Sequence, residues 1–262
     1  MRALLMHELA VGTASVCGLM LVLWLIHLPL RNAAIVDCGW AGGLALLGAI
    51  YAAMGGGYPL RALLIAGMAV LWGLRLAIYL LFTRVIGHPE EGRYVQLRRE
   101  WGGNLPLKFL LFFQFQALLC VVLSIPFLLS TLTRRAELSA FEYAGAALWL
   151  VAWMGELVVD SQLHRFKSNP DDRGAVCTAG LWKYSRHPNY FFEWLIWVAF
   201  ALFAMGSPYG YLALFCPALM LFFLFRVTGI PATEAQALRS KGESYRQYQH
   251  STSAFVPWFP RS

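Results

Sequence analysis

Charged residues are scarce in this sequence, because Asp, Glu, Lys and Arg make up 13% of its 262 residues while hydrophobic residues make up 59%. Such a chain has too little polar surface to cover a water-soluble globule of its size. No alternating ten-residue pattern typical of a membrane barrel is present either. The composition therefore predicts an all-α integral membrane protein, and its many aromatic residues fit the interfacial belts of a helical bundle.

Several catalytic and metal-binding signatures are also absent. The sequence contains no H-E-x-x-H, G-x-S-x-G, Walker or G-x-G-x-x-G motif, so hydrolase, kinase and Rossmann functions have no support. The cysteines are odd in number and form no C-x-x-C pair, which argues against a disulfide framework or a zinc site. We predict no metal and interpret all five as packing residues: Cys17, Cys38, Cys120, Cys177 and Cys216.

Seven apolar runs are long enough to cross a membrane, since one crossing takes about 20 residues. They cover residues 9–30, 35–54, 60–82, 107–132, 141–160, 190–205 and 209–227. Sixteen Lys and Arg residues fall in loops on one side of this arrangement and four on the other, and such an excess marks the cytoplasmic side. We therefore predict a bundle of about seven transmembrane helices, with the N-terminus outside and the C-terminus in the cytoplasm.

The chain shows no internal repeat, low-complexity segment or linker, so we expect residues 1–262 to form a single membrane-embedded domain. Residues 1–132 would supply helices 1 to 4, and residues 133–262 would supply helices 5 to 7 and a tail. The polar tail segment 234–249 contains scattered Leu and Tyr, which predicts a cytoplasmic helix lying against the membrane face.

The stretch 180–193, Gly-Leu-Trp-Lys-Tyr-Ser-Arg-His-Pro-Asn-Tyr-Phe-Phe-Glu, places many polar groups at the start of an apolar helix. Unpaired polar groups are costly in an apolar medium, so this cluster must be hydrated, mutually paired or bound to a ligand. Asn189 and Glu193 lie one helical turn apart. The helix start, Arg186 and His187 offer donors that suit a pyrophosphate. A capped interfacial helix start is the alternative, although it hardly explains Glu193.

A second polar face lies at the end of the fifth predicted helix. Asp160, His164 and Lys167 share one side of this helix because they are three or four residues apart. The C-terminal end of a helix is enough to explain Lys167, because the helix macrodipole favours a cation there. An acid opposes the same dipole, so Asp160 indicates a specific partner.

Two further polar groups lie in the first half of the chain. Arg75 and Tyr79 are one turn apart inside the third predicted helix, where an ionisable group usually faces a cavity or a partner, and Arg93 and Tyr94 follow. Asp37 begins the second predicted helix, and partial removal from water would keep its carboxyl protonated and able to donate to a substrate carbonyl. The alternatives are a structural Arg75–Asp37 ion pair and a helix-start acid that satisfies the dipole.

Four motifs together resemble the steroid 5α-reductase superfamily, and in particular its bacterial branch. They are Asp160-x-Gln-x-x-x-Phe-Lys167, the stretch 180–193, Gly229-Ile-Pro with Glu234, and the segment 248–260, Tyr-Gln-x-x-Thr-Ser-Ala-Phe-Val-Pro-Trp-Phe-Pro. Two shorter segments, 36–40 and 71–75, extend the resemblance more weakly into the first half of the chain.

The resemblance implies a reductase of the bacterial cytoplasmic membrane that buries NADPH in a cavity open to the cytoplasm. Hydride would pass to a C=C bond conjugated to a carbonyl in a sterol-like or isoprenoid substrate taken from the bilayer. Residues 1–132 would form the substrate side, with Asp37 and Trp72 as the catalytic residues. The expected cofactor-binding residues are Arg75, Tyr79, Arg93, Tyr94, Asp160, His164, Lys167, Tyr184, Arg186, His187, Asn189, Tyr190, Glu193, Arg226, Glu234 and Tyr245.

The sequence departs from the steroid enzymes at three positions. Val36 stands where they have Gln before the catalytic acid, and Trp72 stands where they have an assisting Tyr. Phe192 replaces the Gly that usually precedes the last Glu of the central motif, and we expect its ring to narrow the pocket. The cofactor half therefore matches better than the substrate half.

Two other functions compete with the reductase. An S-adenosylmethionine-dependent methyltransferase similar to the isoprenylcysteine carboxyl methyltransferases would share the Arg-His-Pro-x-Tyr motif of residues 186–190, but it would not need cations for a second phosphate. A non-catalytic lipid-binding protein would not need Asp160, Asn189 and Glu193 together. Apart from a lipophilic substrate and membrane lipids, we expect no nucleic acid and no obligate protein partner.

Overall fold

The computed structural model describes residues 2–172, 174–227 and 229–261, and of Arg2 only the backbone. Regular structure in these residues is helical, apart from one isolated bridge between Ser185 and Ser253. The helices are α1 (Arg2–Leu30), α2 (Ile35–Met54), α3 (Pro59–Leu80), α4 (Gly92–Trp101), α5 (Leu105–Leu123), α6 (Ile125–Thr131), α7 (Ala140–Ser168), α8 (Pro188–Ala204), α9 (Phe215–Phe222), α10 (Ile230–Lys241) and α11 (Glu243–Ser251). The predicted all-α class is confirmed.

Six helical stretches of the described residues are long and apolar enough to span a membrane. They are Ala3–Leu30, Ile35–Met54, Pro59–Val85, Leu105–Leu123, Ala140–Ser168 and Gly210–Lys241. The predicted sixth crossing corresponds to α8, which is apolar but has 17 residues and falls below that length. A multi-pass integral membrane protein is thus supported, whereas the seventh crossing and the orientation stay predictions.

The chain forms two compact units. The first unit comprises residues 1–142 and 203–212, and it contains α1 to α6. The second comprises residues 143–202 and 213–262, and it contains most of α7 and α8 together with α9 to α11. Asp37, Trp72, Arg75, Tyr79, Arg93 and Tyr94 belong to the first unit, and all the other predicted site residues belong to the second.

Two of the predicted helices are interrupted. The run 107–132 was expected to be one span, but α5 ends at Leu123 and α6 begins at Ile125, with Pro126 in its first turn. A proline lacks the N–H that would continue the helical hydrogen bonds, and its ring crowds the preceding turn. The tail helix is likewise divided into α10 and α11 by Gly242, whose φ of +56° suits a helix end.

Small residues let α2 and α3 approach closely in the first unit. A Cβ atom on Gly73 would lie 2.6 Å from the carbonyl oxygen of Ala41, and one on Gly48 would lie 2.8 Å from the Cβ of Ala69. Close backbone contact at small residues is the usual way in which membrane helices associate, because apolar side chains alone gain little over lipid.

Arg61 forms a buried ion pair with Glu142, and both side chains are fully removed from solvent. The remaining guanidinium donors bond to backbone oxygens, including those of Thr133 at 2.9 Å and Arg135 at 2.7 Å. From the sequence, Arg61 is one of the four cations expected in loops on the outer side. Its position in the first turn of α3 instead makes it the centre of a hydrogen-bonded network that binds the segment after α6.

Glu8 contrasts with Glu142, because its carboxyl is also fully buried but neither oxygen has a hydrogen-bond partner in the described part of the chain. A buried charge without a partner is strongly unfavourable, whereas a neutral group of the same shape costs much less.

We predict opposite outcomes for the same substitution at these two acids. Glu142→Gln leaves the Arg61 charge buried without a counter-charge, so it should lower the unfolding free energy by about 3–5 kcal/mol. Glu8→Gln should leave the stability unchanged or raise it. Thermal unfolding of the detergent-purified variants measures both. A similar loss of Tm in the two variants would contradict this difference.

Candidate functional site

The stretch 180–193 begins with a tight turn that α7 holds in place. Gly180 has a φ of +60°, and a Cβ atom there would lie 2.5 Å from the side-chain amide of Gln162. The Oε1 atom of Gln162 accepts a hydrogen bond of 2.9 Å from the backbone N–H of Leu181. From the sequence, Gln162 is known only as part of the motif Asp160-x-Gln. In the structure its side chain holds the start of the stretch 180–193.

Phe192 packs against α7. A Cβ atom on Gly155 would lie 2.3 Å from the Phe192 ring, so the ring occupies the space that this glycine leaves. Phe192 also packs against an apolar cluster formed by Val159, Cys177 and Trp182. We expected this side chain to narrow a pocket, and the structure shows its ring held in a helix–helix contact. Burial raises the pKa of the Cys177 thiol, which agrees with its interpretation as a packing residue.

The C-terminal segment holds the same stretch from the other side. Ser253 accepts a backbone hydrogen bond of 2.9 Å from Arg186, and Tyr184 accepts one of 2.9 Å from Trp258. The hydroxyl of Tyr248 donates to the carbonyl oxygen of Trp182 and lies 3.1 Å from that of Ser185. These bonds explain structurally why the motif at 248–260 occurs together with the stretch 180–193.

Arg186 and Glu234 form the polar centre of the second unit. The Arg186 Nε atom donates to Glu234 Oε1 at 2.7 Å, and Nη1 donates to the carbonyl oxygens of Gln249 and Thr252 at 2.9 and 2.7 Å. Gln249 Nε2 donates to the other carboxylate oxygen at 2.8 Å, and His187 Nε2 lies 3.2 Å from Oε1. The contacts of Arg186 occupy three of its five guanidinium N–H donors. Its side chain therefore links the start of α8 to Glu234 and to the segment around Gln249 and Thr252.

Tyr245 lies beside this ion pair. Burial raises the pKa of its phenol to about 12, and the negative charge of Glu234 adds to the effect while Arg186 opposes it. The ring therefore carries a neutral hydroxyl at physiological pH. That hydroxyl can donate or accept a hydrogen bond, but it cannot serve as an anionic base.

The first turn of α8 presents a side-chain amide that is available to a ligand. Asn189 is half-buried, and its side chain has no hydrogen-bond partner among the described residues. Next to it, the Tyr190 ring stacks on His187 at a centroid distance of 5.4 Å, and its hydroxyl lies 3.1 Å from Thr233 Oγ1. Glu193 is half-buried one turn further along α8.

Cations converge at the ends of α7 and α10. Lys167 and Lys241 lie close enough for their charges to repel, and both act on the nearby Cys177. Lys241 is half-buried and makes no ion pair with any described residue. Two like charges held together in this way are stabilised by an anion that binds both.

The other predicted residues of the second unit lie in different surroundings. Asp160 is buried with 8% of its surface exposed, whereas His164, on the same helix, is exposed. Arg226 is exposed in a π-helical turn, Phe223–Val227, and Tyr184 packs its ring edge-on against Phe259 at 6.0 Å. His164 and Arg226 are therefore not part of the Arg186–Glu234 centre.

Asp37 forms the polar centre of the first unit. Its Oδ1 accepts a hydrogen bond of 2.8 Å from the Tyr94 hydroxyl, and its Oδ2 binds Arg93. Arg84 approaches Oδ2 at 3.7 Å, and Glu91 binds Arg93 at 3.4 Å. Burial, with the nearby Asp37 charge, raises the pKa of Tyr94. Both Asp37 oxygens thus act as acceptors, and its role as a proton donor to a carbonyl stays a prediction.

The structure brings Asp37, Arg93 and Tyr94 together, whereas the partner considered for Asp37 from the sequence was Arg75, and Arg84 and Glu91 were missed. From the sequence, Arg84 is only one of the loop cations. Its position shortly before Glu90 and Glu91 was the one signal in the sequence for an ion pair here. Trp72 is fully buried and meets Trp40 edge-on at 5.9 Å, while the Arg75 guanidinium lies over the Tyr79 ring at 5.5 Å.

Comparison with known proteins gives one informative result. A protein-family profile described as "Protein of unknown function (DUF1295)" matches residues 23–252. No protein of curated function matches the chain, and no solved structure does. The matched range includes every predicted site residue, from Asp37 to Tyr245.

We predict that alanine is tolerated less well at Gly180 than at Gly242. Both glycines have positive φ, so each substitution should cost about 1 kcal/mol in backbone strain. Only at Gly180 must the Gln162 amide also move and lose its bond to Leu181, at a further cost of about 1 kcal/mol. Thermal unfolding of both variants measures the difference. In a Gln162→Ala background the extra loss should vanish, and its persistence would contradict this explanation.

Proposed function

This chain belongs to the family described as Protein of unknown function (DUF1295), and we propose that it is a membrane-embedded, NADPH-dependent reductase. Its reaction would transfer hydride to a C=C bond conjugated to a carbonyl in a lipophilic, sterol-like or isoprenoid substrate, as the resemblance to the steroid 5α-reductase superfamily implies. Bound NADPH would supply the hydride, and the residues of this chain would bind it, orient it and exclude water.

The convergence of Lys167 and Lys241 is the observation that carries this proposal. NADPH has a pyrophosphate and a separate 2′-phosphate, whereas S-adenosylmethionine has no phosphate. Two lysines that repel one another form a site whose electrostatic energy improves when a doubly charged anion binds. We assign the 2′-phosphate to this pair, and this assignment favours the reductase over the methyltransferase.

Asn189 supports the other end of the cofactor. A nicotinamide carboxamide has one acceptor and two donors, and an asparagine side chain has the complementary set. In the described residues that side chain has no other partner, so binding would break no existing hydrogen bond. The half-buried Arg186–Glu234 ion pair would then hold the start of α8 in position and would not contact the phosphates.

We also propose the finer membrane arrangement. With α8 as a crossing of 17 residues, near the lower limit for a membrane span, the chain would cross seven times. The bias of sixteen to four in loop cations would place the N-terminus outside and the two lysines on the cytoplasmic side of a bacterial inner membrane. NADPH would be available on that side.

We predict that Lys241→Gln removes the preference for NADPH over NADH. Losing one charge-assisted contact to the 2′-phosphate should weaken NADPH binding about tenfold and leave NADH binding unchanged. Ligand-dependent shifts of Tm in detergent give both affinities. Lys183→Gln, at an exposed lysine of the turn Gly180–Lys183, is the matched control and should retain the preference. A shift with S-adenosylmethionine alone would replace the reductase with the methyltransferase.

Asn189→Ala should act differently, because the nicotinamide is common to both cofactors. We expect NADPH and NADH to weaken by the same factor, about tenfold, with the NADPH preference retained. The same titrations test this. An unchanged affinity for both cofactors would exclude Asn189 from the site. Consumption of NADPH in the presence of bacterial lipid extracts would then identify the substrate fraction.

A further inference from the structure

A cavity of about 450 Å³ lies in the first unit where the end of α1 meets α4 and the start of α5. None of the residues assigned to the reaction above lines it. Its walls combine apolar side chains with four ionisable residues, His27, Arg31, Glu90 and Arg98. The cavity is therefore a second candidate site, and it is independent of the proposed reductase function.

His27 supplies a buried polar atom to this cavity. Only 2% of the residue is exposed, and Phe109 and Phe113 pack against the ring at centroid distances of 5.3 and 5.1 Å. Its Nδ1 faces the carbonyl oxygen of Trp24, which can only accept, so Nδ1 carries the hydrogen. Among the described residues the hydrogen bond of the ring is made by Nδ1, so Nε2 can accept a hydrogen bond from a ligand in the cavity.

The net charge of the lining is positive. Arg98 binds Glu90 through two hydrogen bonds of 2.7 and 3.0 Å, so these two charges balance. Glu90 also accepts a hydrogen bond of 2.7 Å from the backbone of Ala33, which fixes its position. Arg31 is exposed and forms no ion pair with any other described residue. An anionic ligand would meet this uncompensated guanidinium.

The backbone at Arg31 adds a second indication. Its φ is +53°, in the left-handed region that glycine or asparagine usually occupies at a helix end. Its N–H donates to the carbonyl oxygen of His27 at 2.8 Å and so closes the last turn of α1. A need for the Arg31 side chain at the cavity would explain why an arginine occupies this strained conformation.

The cavity lies beside exposed apolar side chains of α1. Leu28 lines it with 38% of its surface exposed, and the nearby Leu25 and Ile26 are 52% and 44% exposed. α1 and α5 are long and apolar enough to span a membrane, whereas α4 is rich in charged residues, so we expect the cavity to lie at the depth of lipid head groups. An apolar chain attached to the bound anion can extend along α1 into the bilayer.

We propose that this cavity binds a lipid with a phosphate monoester head group. The phosphate oxygens would pair with Arg31, and a P–OH group would donate to His27 Nε2, which is an acceptor in the neutral ring. A phosphate monoester suits both contacts because its second pKa is about 6, so it can bind either with or without one proton. The acyl chain would lie against Leu28 and Phe109.

Native mass spectrometry of delipidated protein tests the proposal with lipids of identical acyl chains. Phosphatidic acid should bind at least about tenfold more tightly than phosphatidylcholine or diacylglycerol. Arg31→Gln should abolish this preference, and His27→Phe, which keeps an aromatic ring between the phenylalanines, should weaken it. Arg99→Gln is the matched control, since Arg99 is an exposed arginine of α4 that does not line the cavity.

Three outcomes would overturn the proposal. The first is equal binding of phosphatidic acid and phosphatidylcholine, and the second is an unchanged preference in Arg31→Gln. The third is competition by inorganic phosphate at concentrations as low as those of the lipid, because that would make the ligand a soluble phosphate. NADPH titrations of the same variants should be unaffected, so failure here is distinguishable from failure of the proposed reductase function.

Discussion

The second unit depends on the ion pair between Arg186 and Glu234. Leaving either charge unpaired in a poorly hydrated environment would be expensive, so the fold supplies each with partners: two backbone oxygens for the arginine, and Gln249 and His187 for the carboxylate. The same bonds join the start of α8 to α10 and to the C-terminal segment. Many hydrogen-bond donors of the stretch 180–193 are therefore already used in bonds within the protein. Outside this network, the Asn189 side chain makes no hydrogen bond and Lys241 makes no ion pair with any described residue.

The helical class and the approximate positions of the spans could be predicted from the sequence, because long apolar runs have few alternatives in a membrane. Interruptions were harder to predict. Pro126 inside an apolar run is compatible with a kink or with a break, and only packing decides between them. The burial of Arg61 was missed for a related reason: its counter-charge, Glu142, lies 81 residues further along the chain and looks like an ordinary helix-start acid.

The contacts within the candidate site could not be predicted from the sequence. The sequence offered Arg75 as a partner for Asp37, yet the structure joins Asp37 to Arg93 and Tyr94 across more than fifty residues. Gln162 belonged to a motif and Phe192 was expected to narrow a pocket, and the positions of both are explained by Gly180 and Gly155, two glycines that no pattern connects to them. The cavity beside His27 could not be foreseen at all, since its walls come from helices distant in sequence.

The hydrogen bonds between the stretch 180–193 and the C-terminal segment also bear on biosynthesis. The bonded pairs are separated by 63 to 70 residues, so the ribosome must add that much more chain before Ser185 and Arg186 can reach their final partners. During this interval the arginine would await its carboxylate while neighbouring helices are already leaving the translocon. These bonds can therefore form only after the C-terminal segment has been synthesised, and a stalled nascent chain would display the motif without its final geometry.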